Sequence, residues 1–171
     1  MIRPARATEI ERLREIEVAA GRSFAAIGMD EVARDEALPA AELLEYQRDG
    51  RAWVVVDEVD RPVGYLIAEW VDGLVHIEQV SVDPAYAGRG LGRDLITHVA
   101  DWARSCGSAA LTLTTFAEVA WNAPYYERLG FRRLADSELT PGLREIRAEE
   151  AAHGLDRWPR LTMRRDLPAG S

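Results

Sequence analysis

Between residues 80 and 93 the chain reads Val-Ser-Val-Asp-Pro-Ala-Tyr-Ala-Gly-Arg-Gly-Leu-Gly-Arg. The first three residues close a run of β type, and Leu91, Leu95, Ile96, Val99 and Trp102 then recur at helical spacing. A strand therefore passes into a helix through a loop with glycine at positions 88, 90 and 92. This switch of period constrains everything around it. A sheet has to lie upstream, and the helix has to return the chain to that sheet.

The upstream part supplies the sheet. Residues 52–56, 63–70 and 74–82 are β-rich, residues 57–62 form a polar turn, and Asp72-Gly73 is a hairpin signal between the last two runs. Downstream of the helix (residues 90–105), residues 110–116 alternate Leu and Thr like a strand. Strand, helix and strand make a crossover that joins parallel strands in a right-handed sense. Around this centre we read a short first strand at 2–6. A helix follows, with Thr8 as its N-cap, Glu11 completing a capping box and an apolar stripe of Ile10, Leu13 and Ile16. Residues 22–30 read as a short helix or irregular lid, and Pro39 opens a helix carrying Leu43, Leu44 and Tyr46 that Gly50 ends. The C-terminal part reads as a short helix at 122–129, a strand at 131–134, a helix at 141–153 and a last strand at 161–165. The expectation is one α/β domain over residues 1–166, with a central, twisted, mixed sheet of six or seven strands flanked by helices. Residues 167–171 are expected to be a frayed tail.

Charge and composition narrow the function classes. The net charge of −8 argues against a general nucleic-acid or anionic-membrane surface. No lysine is present, so all 21 basic residues are arginines. Cys106 is the single cysteine and reads as structural, and His76, His98 and His153 lack metal-ligand spacing, so no metal is expected. No stretch is long enough to span a bilayer and the first residues hold no apolar signal region, which makes the cytoplasm the expected location.

A helix start presents unpaired N–H groups and partial positive charge, and glycines let the backbone approach an anion closely. The loop at 80–93 therefore suits phosphate or pyrophosphate. A P-loop requires Gly-Lys-Ser/Thr, and the chain has no lysine. A dinucleotide fingerprint counted from Gly88 requires glycine where Arg93 stands. A coenzyme A diphosphate loop remains, beside a glycine-rich turn that binds nothing.

The order of elements resembles the GNAT acetyltransferases, as does the run Tyr126-Glu127-Arg128-Leu129-Gly130-Phe131. The resemblance covers nearly the whole chain and is firmest over residues 74–131. In that family the loop reads Arg/Gln-x-x-Gly-x-Gly/Ala, which Gly90 and Gly92 match and from which Ala87 departs. The resemblance implies acetyl-CoA as cosubstrate, held by the backbone at Ala87, Gly88, Arg89, Gly90, Leu91, Gly92 and Arg93, with Arg89 or Arg93 adding positive charge. It also implies that strand 74–82 splays from strand 110–116, so that Val80, Ser81 and Val82 meet the pantetheine arm and the Val80 N–H polarises the thioester. Tyr126 matches the tyrosine placed near the coenzyme sulfur, where a phenol protonates or hydrogen-bonds the departing thiolate. Tyr125 lines either the cofactor groove or the core. Asn122 either contacts the pantetheine or caps the short helix.

Alternation puts His76 and Glu78 on one face of their strand. The family often carries an acidic residue or histidine there, which makes Glu78 the first candidate for general base and His76 the second. Alternatively, Glu78 only anchors a cationic amine and the proton leaves through water. Glu118 is a weaker candidate. The resemblance places the acceptor pocket at Phe24, Ile27 and Met29 on one side and Leu139, Leu143 and Trp158 on the other, with Trp121 as floor. The implied reaction is direct transfer of an acetyl group to a primary amine of a small molecule. A protein or peptide N-terminal acetyltransferase and a non-catalytic acyl-CoA-binding module are the alternatives. Pairing of two copies into a homodimer is also implied.

Overall fold

The computed structural model describes residues 1–169. Its strands are β1 (Ile2–Pro4), β2 (Ala52–Val56), β3 (Pro62–Val71), β4 (Leu74–Val82), β5 (Ala110–Phe116), β6 (Arg132–Arg133) and β7 (Arg160–Asp166). They hydrogen-bond in the order β1-β2-β3-β4-β5-β7-β6. The helices are α1 (Ile10–Gly21), α2 (Asp30–Ala33), α3 (Ala40–Arg48), α4 (Leu91–Ser105), α5 (Ala123–Arg128) and α6 (Pro141–Ala152). This is the mixed sheet with flanking helices that the pattern of elements predicts. Two compact units divide the chain: residues 1–68 with 79–99, and residues 69–78 with 100–171.

In the first unit β1, β2 and β3 form an antiparallel meander, with a bulge between Val55 and Val56. Ile10, Leu13 and Ile16 of α1 and Leu43 of α3 bury their side chains with Ala52, Val54, Tyr65 and Ile67. Burying four such aliphatic side chains contributes on the order of 1.5–3 kcal/mol each before chain entropy is counted. The start of α1 differs from the expectation. Thr8 lies inside a 3₁₀ turn, Ala7–Glu9, and caps nothing. Instead Glu9 Oε1 accepts the Arg6 N–H at 2.8 Å, while the Arg3 guanidinium grips the same carboxylate at 2.8 and 3.0 Å. A charged acceptor held by an arginine makes a stronger cap than a hydroxyl.

In the second unit β4 pairs in parallel with β5 at Val75↔Leu111 and His76↔Thr112, as the crossover requires. Ser108 clamps this start: its hydroxyl accepts the Val75 N–H at 3.0 Å and donates to the Ala110 carbonyl at 2.7 Å. β7 pairs with β5 along its length and with β6 on its other side. β6 is shorter than expected because the Phe131 N–H bonds back to the Tyr126 carbonyl and closes the end of α5. The hairpin tip is two residues long, and Asp72 and Gly73 both have positive φ, 51° and 82°, as a type I′ turn requires. The Asp72 carboxylate also accepts the Gly142 N–H at 2.8 Å and so anchors the first turn of α6. A Cβ at Gly142 would stand 2.6 Å from Val71 Cγ1, so this docking requires glycine. Of the expected tail, Leu167 still hydrogen-bonds the Ala109 carbonyl, while residues 170 and 171 lie outside the described residues.

Candidate functional site

The loop after β4 is built within the first unit. Asp83 fixes its entry: its N–H donates to the Val63 carbonyl at 2.8 Å, Oδ1 accepts the Ala85 N–H at 3.0 Å and Oδ2 accepts Arg12 Nη2 at 2.9 Å. The bond from Ala85, aided by Arg12, holds this carboxyl below the usual carboxylate range. A 3₁₀ turn, Pro84–Tyr86, leads to Gly88 and Gly90, which sit at φ of +78° and +73°. An L side chain in that region is strained, so both positions need glycine. α4 begins at Leu91, which places Gly92 in its first turn. The Arg89 guanidinium lies over the Tyr86 ring, 5.0 Å from its centroid. Arg93 folds back over the loop, and its Nη2 stands 2.8 Å from where a Gly90 Cβ would be. Gly64 underlies the strand before the loop: a Cβ there would meet the Ser81 carbonyl at 3.2 Å and Val82 Cγ2 at 3.3 Å.

The second unit holds the candidate acid–base residues. His76 is 1% exposed, and its Nδ1 lies 2.8 Å from Thr112 Oγ1. Loss of hydration pushes its pKa down to about 4, against the charge of Glu150, so the ring is neutral and a weak base. Glu78 behaves oppositely. Its carboxyl is raised to about 7, first by loss of hydration, then by the charge of Glu69 and a side-chain hydrogen bond to it, then by Glu150 and Glu149. Glu78 is nonetheless an exposed residue, and solvent on its open side tempers the shift without reversing it. Burial acts to raise Glu150 as well, but Arg160 at 2.7 Å, Thr114 at 2.6 Å and Arg147 at 2.9 Å outweigh it and hold the carboxyl below its usual range. Of the two candidates on β4, Glu78 therefore has the greater proton affinity near neutral pH. Glu69 bears on the Glu78 carboxyl, and strand alternation alone does not single it out. The usable signal was the Asp72-Gly73 turn, which sets the register between the two strands that carry Glu69 and Glu78.

Tyr126 lies on α5 in the same unit and is 8% exposed. Tyr125 and Phe131 meet its ring edge-on at centroid distances of 5.5 and 5.8 Å. Burial, and then the neighbouring Tyr125, raise its pKa and keep it a phenol. Tyr125 is half-buried beneath Arg128, whose guanidinium carbon is 5.7 Å from the ring centroid. Asn122 occupies the N-cap position of α5 yet makes no capping bond: its Nδ2 donates to the Trp121 carbonyl, and its Oδ1 is buried with no hydrogen-bond partner among the described residues. Among the residues assigned to the acceptor, Phe24 is half-buried and Met29 is 3% exposed, both in the first unit. Ile27 and Trp121 are exposed, Leu143 is buried, and Trp158 stacks edge-on against Phe116 at 6.2 Å. Glu118 is exposed.

Residues 10–131 match the model of the acetyltransferase (GNAT) family. A 57-residue stretch is 44% identical to glucosamine 6-phosphate N-acetyltransferase of Trypanosoma brucei brucei and covers 33% of this chain and 37% of that protein. Across four curated relatives that it matches, the chain spans from 37% to 53% of their length. The ribosomal-protein-S18-alanine N-acetyltransferase of Escherichia coli shares the fold, with a TM-score of 0.70 at 19% identity over 100% of this chain and 96% of that one. Rv2747 of Mycobacterium tuberculosis, solved in complex with CoA, shares it with a TM-score of 0.70 at 18% identity over 98% and 99%. With 122 of its 171 residues inside the matched region, this chain belongs to the GNAT acetyltransferase family.

Proposed function

We propose that the protein is an N-acetyltransferase that moves an acetyl group from acetyl-CoA to a primary amine of a small molecule by direct attack, without an acyl-enzyme. The observation that carries the reading is the Gly88–Gly90 turn ahead of α4, with Arg93 folded over it. An arginine in the first turn of a helix opposes the helix dipole, an arrangement that an anion bound at the same place would stabilise. The backbone from Gly88 to Arg93 would hold the coenzyme diphosphate, and Arg93 and Arg89 would add charge. Acetyl-CoA supplies an activated thioester carbonyl when bound.

This chain's own residues then position the acceptor and move protons. The acidic side chains of Glu69, Glu78 and Glu149 favour a cationic amine. Glu78 takes a proton from the ammonium so that the nitrogen lone pair is free. Tyr126 offers its phenol to the departing sulfur, and the Val80 N–H offers a hydrogen bond to the carbonyl. The matched relative named for glucosamine 6-phosphate supports a small-molecule acceptor.

The test is release of free thiol from acetyl-CoA across a panel of amino sugars, aminoglycosides, simple amines and peptides. Turnover with amines of small molecules and none with peptides is expected; turnover with peptides alone would reverse the acceptor class. With an active acceptor, Tyr126→Phe should lower kcat about tenfold, roughly the loss of one hydrogen bond in the transition state. KM should stay unchanged, and an unaltered kcat would make Tyr126 a packing residue.

A further inference from the structure

We infer that Glu69 is a positioning residue for the reaction, sharing one proton with Glu78 so that the two carboxyls act as a pair; the inference rests on the proposed function. The hairpin geometry leads to it. A two-residue type I′ turn at Asp72-Gly73 sets Glu69, three residues before the turn, opposite His76, three residues after it. Glu78 follows His76 by two residues and so lies diagonally across from Glu69 on the same face, within reach of a long side chain. Glu69 raises the proton affinity of Glu78 both by its charge and as a side-chain hydrogen-bond partner. A bond between two carboxyl groups needs a proton on one of them, because two carboxylates only repel.

The surroundings favour that sharing. On β4, His76 is neutral and held by Thr112 of β5. From α6, Glu149 and Glu150 both add negative charge at Glu78. Arg147 of α6 and Arg160 of β7 are engaged with Glu150, as is Thr114 of β5. Glu69, Glu150 and Glu149 all act on Glu78 with charge of one sign. In the reaction, an N–H bond of the acceptor ammonium breaks and an O–H bond forms on Glu78. The new O–H donates to the Glu69 carboxylate, and the charge of the pair falls from two to one. The proton then passes to water. A lone carboxylate of ordinary acidity would hold that proton more weakly, and Glu69 brings the affinity closer to working pH.

The test uses the full chain with ¹³C-labelled glutamate, followed by NMR from pH 4 to 9, beside pH profiles of kcat/KM for the wild type, Glu69→Gln and Glu69→Asp with one active amine. In the wild type one glutamate carboxyl should titrate near neutrality. In Glu69→Gln that titration should fall below about pH 6. The acid limb should fall with it, so that activity at pH 6 relative to pH 8 rises about tenfold. Glu69→Asp should restore a shared proton and move both readouts back towards the wild type. A titration and an acid limb that stay in place in Glu69→Gln would overturn the inference. Wild-type protein that shows the shared proton yet acetylates no amine would uphold the pairing and overturn its role in transfer, along with the proposed function.

Discussion

Gly90→Glu is expected to weaken coenzyme A binding about a thousandfold, an effect of ~4 kcal/mol that isothermal titration of the purified variant measures directly. Three causes act together. Gly90 sits at φ +73°, where an L residue costs roughly 1–2 kcal/mol, so the loop shifts or stays strained. The new Cβ would stand 2.8 Å from Arg93 Nη2 and displace the guanidinium from the place where it can meet a phosphate. The added carboxylate would sit at the positive end of α4, bind that guanidinium itself and repel the diphosphate. Gly90→Ala separates these causes, because it keeps the strain and omits the charge; about a tenfold loss is expected there. That strain should lower the melting temperature of both variants by a few degrees and by similar amounts, so the difference in affinity between them reads the charge. Unchanged affinity in Gly90→Glu would remove the diphosphate from this loop and, with it, the carrier of the proposed function.

The loop was legible because its chemistry is local. Glycine spacing, a period that changes from two to 3.6 and a following amphipathic helix all fall within a single window. For the same reason β4 and β5 have the bounds that alternation predicts, 74–82 and 110–116. Part of what the sequence hid depends on contacts between distant residues, and part on where the local backbone turns a side chain. Thr8 has the composition of a cap, but Arg3 delivers Glu9 to the job from across the first strand. Asn122 has it too, yet its backbone turns the amide towards the Trp121 carbonyl instead of down the helix. Asp72 reads as a turn residue, and nothing nearby in sequence tells that it also holds α6 through Gly142, seventy residues on. That docking brings Glu149 and Glu150 to bear on Glu78. Met29 reads as part of a lid, whereas the left-handed turn at Gly28 folds it inward and buries it. Glu69 was hidden at an intermediate level: the turn that sets it diagonally across from Glu78 is plain in the sequence, but its consequence appears only when two strands are considered together.

Glu78→Gln should lower kcat/KM by about a hundred- to a thousandfold at pH 8, within the usual range for removing a positioned base. It should also change the pH dependence in a direction that a packing role would not produce. In the parent, activity is expected to require the carboxylate and to be lost as pH falls through about 7. The amide cannot titrate, so that limb vanishes, and the residual rate follows deprotonation of the acceptor amine at higher pH. Stability should move the other way. The folded-state affinity of Glu78 for a proton is raised above its ordinary value of 4.5, so between that value and about 7 the folded chain binds more protons than the unfolded one. Unfolding free energy then falls as pH rises through this window, and above it the ionised, like-charged Glu78 is a net strain on the fold. Glu78→Gln removes that strain, and its melting temperature should exceed the parent's at pH 8, with the gap closing as pH approaches the ordinary carboxylate range. A variant that is slower and also less stable at pH 8 would mean that Glu78 serves the fold; a variant that is slower and more stable identifies a charge kept at a cost to folding because the reaction uses it.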